Sequence, residues 1–222
     1  MRLKINPLEP DKSIIKEAVE ILENNGIVVY PTETAYGIGC NAYISEAVEK
    51  IFTIKQRPKN LALPVIVSSI DMINEIAYIT PQAEILMKNF YPGPLVIALQ
   101  KKDKILDIVN AYSIAFRIPG DKISFSLVQH LNRPIISTSA NRSGFPSPYS
   151  VEEVLSSLNE EDIDIILDVG PIEKRKPSTI IDFTETPSPQ ITRIGEISPE
   201  KIFEILGIKK GKWTEHLRLL SP

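Results

Sequence analysis

Short apolar runs alternate with amphipathic stretches along the whole of this chain, and that alternation leaves few architectures open. A run of four to eight aliphatic residues between turn formers reads as a buried strand. Apolar residues repeating every third or fourth position read as a helix lying on a sheet. Asp11 to Asn25 has the second pattern, with Ile14, Ile15, Ala18, Val19, Ile21 and Leu22 in register and Gly26 to end it. Gly26 to Tyr30 then reads as a strand stopped by Pro31, and Ser45 as the cap of a helix carrying Ala47, Val48, Ile51 and Phe52. Strands are predicted over Leu63–Val67, Leu95–Leu99, Ile114–Ile118, Pro134–Thr138, Ile163–Val169, Thr179–Phe183 and Gln190–Ile194. Helices are predicted from Thr80-Pro81 to Phe90, around Phe125 to Leu131, from a capping box at Ser150–Glu153 to about Leu158, and from Ser198-Pro199 to Gly207. Interleaving of this kind argues for an α/β fold, a sheet covered by helices.

Composition narrows the function classes. Of 222 residues only Cys40 is a cysteine, and only His130 and His216 are histidines, which excludes an internal disulfide framework and leaves little for a histidine-rich metal site. The formal net charge of −3 argues against a dedicated nucleic-acid binder. The start of the chain shows no apolar signal region, and the apolar runs fall far short of the ~20 residues that span a bilayer, so a cytoplasmic protein with no membrane partner is expected. The 18 prolines are scattered, which points to shaped loops rather than low complexity.

Four stretches carry candidate chemistry. Tyr30 to Ala42 packs Thr32, Glu33, Thr34, Gly37 and Gly39 after a buried strand, where α/β proteins tend to bind ligands; an ordinary turn with local hydroxyl bonds is the plain alternative. Gly37-Ile38-Gly39 lacks the third glycine of a dinucleotide fingerprint, and no P-loop motif occurs. Lys55 and Arg57, at a helix end, either complement the helix dipole or face a polyphosphate. Ser137 to Ser147 is dense in neutral donors suited to phosphate oxygens or a small polar ligand. Arg117 stands in an apolar strand and needs a counter-charge if buried, a role that a substrate carboxylate would fill.

Together these pieces resemble the YrdC/Sua5 family, the L-threonylcarbamoyladenylate synthases that begin threonylcarbamoyladenosine modification of tRNA. The matching residues are Pro31 to Gly39, Lys55-x-Arg57-Pro58, Tyr91-Pro92-Gly93-Pro94-Leu95, Arg117-x-Pro119, Ser139-Ala140-Asn141-x-Ser143-Gly144, Ser178-Thr179 and Arg193-x-Gly195. The resemblance implies a twisted mixed sheet flanked by helices with a concave ligand cleft. It divides the chain into a YrdC-like catalytic domain over residues 1–207 and a C-terminal tail over 208–222, with Trp213 placed to pack back onto the domain. It implies a nucleotidyltransferase that joins L-threonine, bicarbonate or CO2, and ATP, with Mg2+ carried on the triphosphate rather than on protein ligands. Thr34, Arg117, Ser137 and Ser178 would hold L-threonine, Arg117 taking its carboxylate. Lys55, Arg57, Ser139 and Asn141 would surround the triphosphate as the catalytic set, and Ser113, Ser147 and Arg193 would contact the nucleotide.

Partners implied are a downstream threonylcarbamoyl-transferring machinery and weak contact with tRNA or double-stranded RNA. Two positions depart from the family pattern: Leu61 and Ile66 stand where many members carry Asn and His. Two other readings stay open at this point. One is a YciO-like paralogue sharing the pocket but not the activity. The other is a non-catalytic RNA-binding module, for which the dispersed basic residues and 7% aromatics offer little.

Overall fold

A computed structural model describes residues 1–184 and 189–219. Its strands, in chain order, are β1 (Arg2–Lys4), β2 (Val28–Pro31), β3 (Tyr36–Asn41), β4 (Val65–Ile66), β5 (Leu95–Gln100), β6 (Ser113–Arg117), β7 (Ile135–Ser139), β8 (Ile165–Asp168), β9 (Thr179–Asp182) and β10 (Gln190–Arg193). They form one mixed sheet ordered β1-β8-β2-β3-β7-β4-β6-β5-β9-β10. The helices are α1 (Lys12–Glu23), α2 (Ser45–Ile54), α3 (Ile70–Ile76), α4 (Pro81–Phe90), α5 (Lys122–Leu131), α6 (Val151–Ser157) and α7 (Pro199–Ile205). The α/β expectation, a mixed sheet flanked by helices, therefore holds.

Most of the helices start at a side-chain cap. Asp11 caps α1 by accepting the Ser13 amide at 2.7 Å, and the α1 face of Ile15, Ala18, Val19 and Leu22 is buried. Thr80 and Ser198 cap α4 and α7, each followed by proline in the first turn, and Asp121 caps α5 through the Ser124 amide at 2.8 Å. α1 and α5 pack on each other and on β2, and α2 packs on β3, so this face of the sheet is dry. Gly207, at φ +69°, ends the last helix in the left-handed region that glycine tolerates.

Several expectations are corrected. Pro31 does not stop its strand: β2 includes it, opposite Tyr36, because its carbonyl end lies in a hairpin with no amide required. Tyr36–Asn41, expected as part of a polar loop, is the central strand β3, with all six residues buried. Ser45 is the first residue of α2 rather than its cap; Ile44 occupies that place and makes no side-chain cap bond. Ser150 caps α6 as expected, but Glu153 reaches the Tyr149 amide at 2.6 Å, one residue further out than a regular capping box. The strand expected over 63–67 shrinks to Val65–Ile66, flanked by irregular bonds such as Ser137 N to the Pro64 carbonyl at 2.9 Å. β1 and α3 lacked a signal; β1 is three residues long and exposed on alternate positions.

The C-terminal segment folds back. Trp213 stacks at 5.6 Å from the Phe203 ring and donates its indole N–H to the Ile208 carbonyl at 2.9 Å. Arg218 N bonds the Ile191 carbonyl at 3.0 Å, so the segment lies along the free edge of β10. Leu220 to Pro222, the end of the expected tail, lie outside the described residues. Among the described residues no helix is long and apolar enough to cross a membrane.

A close backbone approach within the sheet is at Gly39, between β2 and β7. A Cβ there would sit 2.3 Å from the Ile136 carbonyl oxygen and 2.9 Å from the Tyr30 hydroxyl. Gly39→Ala is therefore expected to cost about 1–3 kcal/mol, lowering Tm by roughly 2–4 °C for each of those kcal/mol. Gly211→Ala, with nothing within 4 Å, is the matched control and should not move Tm.

Candidate functional site

A concave cavity of about 170 Å³ lies over the central strands of the sheet. Its floor is built from Ser137, Thr138 and Ser139 of β7, Gly37 of β3, Val65 of β4 and Val96 of β5, while Ile135 and Ile136, earlier in β7, are buried in the core. The hairpin turn between β2 and β3 supplies Thr32 and Thr34. Thr32 shapes that turn, its hydroxyl donating to the Ala35 carbonyl at 2.7 Å and accepting the Thr34 and Ala35 amides at 3.2 Å. Local hydroxyl bonding and a ligand-facing role thus coexist in one turn.

Of the residues expected to bind L-threonine, Thr34, Arg117, Ser137 and Ser178 all line the cavity. Of those expected around the nucleotide, Ser139, Ser147 and Arg193 line it too. Lys55, Arg57, Asn141 and Ser113 do not. Ser113 shares the face of β6 that carries Arg117 but lies four residues, roughly 13 Å, along the strand.

Lys55 is only 1% exposed, and its ammonium donates to the Ser139 carbonyl at 2.5 Å and the Asn141 carbonyl at 2.7 Å. Its own carbonyl accepts the Ser143 amide at 2.8 Å, so one residue ties down the segment 139–143 at three points. Burial, with Arg57 adding to it, pushes the Lys55 ammonium down to about 7. Arg57 donates to the Leu61 and Ala62 carbonyls at 3.2 and 2.8 Å. Both cations therefore stand behind loops rather than in the cavity. Asn141 donates to the Phe145 carbonyl at 2.5 Å and leaves its buried Oδ1 without a partner. As for the two departures, Leu61 is exposed, and Ile66 is buried in the core opposite Arg117.

Arg117 ends β6, and that end is braced by the Tyr91–Pro94 segment. The Tyr91 phenol donates to the Phe116 carbonyl at 2.9 Å, and Gly93 N bonds the Ile118 carbonyl at 2.9 Å. The guanidinium is 9% exposed and already has a protein counter-charge: Nη1 donates to Oε1 of Glu33. Burial, the largest single influence, opposes ionisation of Glu33, but the Arg117 guanidinium, a hydrogen bond with Asp121 and backbone amides together hold that carboxyl below its usual range. Behind Glu33 lies Asp121, which burial and then the Glu33 charge push up to about 7.

Sequence reasoning missed Arg175 and Tyr149, and gave Thr179, quoted with Ser178, no role. Arg175 lines the cavity from the basic run Lys174-Arg175-Lys176, and Tyr149 lines it from a proline-rich loop. The Thr179 hydroxyl donates to the Ile197 carbonyl at 2.5 Å and accepts the Gly195 and Ile197 amides, which holds the Arg193-x-Gly195 segment against Ser178. The cavity therefore has three guanidinium groups on its wall, from Arg117, Arg175 and Arg193, and no carboxylate among its lining residues. The Arg193 Nε donates to the Ser178 carbonyl at 2.9 Å, and burial with nearby Arg117 lowers its pKa. Among the described residues no group of three or more His, Cys, Asp or Glu side chains could cage a metal.

The fold and site define an α/β protein with a polar, arginine-walled cleft, a setting suited to an anion. The comparisons carry this further. The profile of the Sua5/YciO/YrdC domain, described as telomere recombination, matches residues 20–195, and the chain belongs to that family. It is 35% identical over 196 residues to a threonylcarbamoyl-AMP synthase of Pyrococcus abyssi, covering 87% of this chain and 57% of that protein. The structure of P. abyssi Sua5 complexed with L-threonine superposes with a TM-score of 0.87 at 33% identity, covering 93% of this chain and 61% of that one. Escherichia coli YciO superposes at 0.80 with 28% identity, covering 88% and 96%. The chain thus spans less than two thirds of the P. abyssi protein.

The partly buried Asp121 gives a signed expectation. Between the ordinary carboxylate value of 3.8 and about 7 the folded protein binds a proton that the unfolded chain does not, so this group's stabilising contribution is present at low pH and lost as pH rises through 7. Asn at this position still caps α5. The difference in unfolding free energy between Asp121→Asn and wild type should therefore grow in the variant's favour from pH 4 to pH 8, by up to about 4 kcal/mol. A difference that stays flat would contradict the assignment.

Proposed function

We propose that this protein is a threonylcarbamoyl-AMP synthase, a nucleotidyltransferase forming threonylcarbamoyl-adenylate and pyrophosphate from L-threonine, bicarbonate or CO2, and ATP. The observation that carries this is the buried Arg117 among the hydroxyls of Thr34, Ser137 and Ser178 in a cavity without lining carboxylates, a setting for a small α-amino acid. The naming of relatives and the L-threonine bound to P. abyssi Sua5 support it.

In this reading the threonine amine adds CO2 to give a carbamate, which is already an anionic nucleophile. A carbamate oxygen attacks the α-phosphorus, the new O–P bond forms, and the bond to the β-phosphate breaks with pyrophosphate leaving. Such a step needs alignment and charge neutralisation more than a base. Arg193 and the Ser139 hydroxyl would meet phosphate oxygens, while Lys55 and Arg57 act from behind the loops they hold. An adjoining hollow shares Ser147 and Tyr149 with the cavity and offers room for the rest of the nucleotide. Mg2+ would travel on the triphosphate, in keeping with a site rich in neutral oxygens and without a carboxylate cage. The labile product would pass to a threonylcarbamoyl-transferring machinery acting on tRNA.

Pyrophosphate release should require L-threonine, bicarbonate and ATP together. ATP binding without L-threonine-dependent release would favour a YciO-like protein instead. Among amino acids, a methyl in an apolar pocket gives only about 1–3 kcal/mol, whereas a site that hydrogen-bonds a hydroxyl rejects its absence more strictly. Serine should be a poor but detectable substrate and valine rejected much more strongly. Valine turning over as well as serine would mean that shape rather than hydrogen bonding sets specificity.

A further inference from the structure

The turn between β2 and β3 splits its side chains: Thr32 and Thr34 face the cavity, and Glu33 between them does not line it. Glu33 instead reaches the guanidinium of Arg117 through Oε1, which also lies 3.4 Å from the Gly120 amide. Its other oxygen, Oε2, is buried with no N–H or O–H partner. The neighbour placed to supply one is Asp121, whose carboxyl shares a side-chain hydrogen bond with Glu33 while its Oδ1 accepts the Ser124 amide at 2.8 Å and its Oδ2 accepts the Ser124 hydroxyl. Two ionised carboxylates have no proton to share, so Oε2 gains a donor only when Asp121 carries one.

We propose that Glu33 is the positioning residue of the site: it fixes Arg117 so that the guanidinium N–H groups it leaves free are offered to a carboxylate in the cavity. Glu33 touches no substrate here; it acts through Arg117. A guanidinium has five N–H donors in a rigid fork, so one edge can serve Glu33 while another serves the ligand. Without Glu33 the side chain would still carry its charge but not its orientation.

Protonation of Asp121 also sets the local charge. Glu33, Arg117 and a neutral Asp121 sum to zero, whereas an ionised Asp121 leaves an excess negative charge behind the arginine that must hold an anion. The other ionisable groups facing this cluster are Tyr30, Tyr91, Arg175 and Arg193, and burial raises both tyrosines well away from neutrality. Asp121, with its pKa of about 7, is thus the group whose charge changes in this range.

This inference rests on the reading of L-threonine as substrate, and steady-state kinetics of pyrophosphate release test it. Glu33→Gln should raise the KM for L-threonine about tenfold while leaving the KM for ATP within twofold and kcat little changed, and Glu33→Asp should recover part of the loss. In wild type the KM for L-threonine should rise with pH between 6 and 8, and Asp121→Asn, which keeps the helix cap and supplies an N–H permanently, should flatten that rise. A KM for L-threonine that is unchanged in Glu33→Gln overturns the inference. One that falls also overturns it, because Glu33 would then be a competitor of the substrate. Should Glu33→Gln not fold, a pH rise that persists in Asp121→Asn overturns it alone. A wild type that does not respond to L-threonine removes the functional reading, and this inference with it.

Discussion

A guanidinium buried at the end of an apolar strand is the constraint around which the cavity is organised. Arg117 is 9% exposed, and an unpaired charge at that depth would cost several kcal/mol. The protein answers it from both sides. Glu33 on the hairpin turn supplies the opposite charge, and the Tyr91 phenol and Gly93 amide bind the main chain of β6 and the residues after it so that the side chain emerges at the cavity wall. The polar floor of Ser137 and Ser139 then lies beside a cation held in place rather than one free to seek solvent.

A second device recurs around the site: cations spent on main-chain carbonyls. Lys55 gathers the carbonyls of Ser139 and Asn141, Arg57 those of Leu61 and Ala62, and Arg193 that of Ser178. Each loop so held borders the cavity or supports a residue that lines it. Charge-assisted bonds of this sort are stronger than neutral ones, and they fix loops that have no ladder of their own. They also raise the positive potential of the cleft without putting the cations in contact with its contents.

Much of this was legible in the sequence, and the exceptions have physical causes. The strand run Ile114–Ile118 and its out-of-place arginine could be read directly, because a charge interrupting an apolar run demands a partner. That the partner is Glu33 could not be read, since the pairing spans the sheet between residues far apart in sequence. Tyr36–Asn41 looked like a loop because Gly37 and Gly39 weaken strand propensity, yet Gly39 is needed where the Ile136 carbonyl comes within 2.3 Å of its would-be Cβ. Lys55 looked like a phosphate ligand because residue type shows charge and not direction. Helix starts at Asp11, Thr80, Ser150 and Ser198 were visible because caps are local chemistry.

The central claim is that Arg117 anchors the carboxylate of an α-amino acid in this cavity. Calorimetric titration of L-threonine into wild type, Arg117→Ala and Arg117→Lys tests it most directly. Wild type should bind. Arg117→Ala should lose about 2–4 kcal/mol of binding free energy, and Arg117→Lys should recover only part of it because the planar fork is gone. Equal affinity for L-threonine in all three proteins would contradict the account.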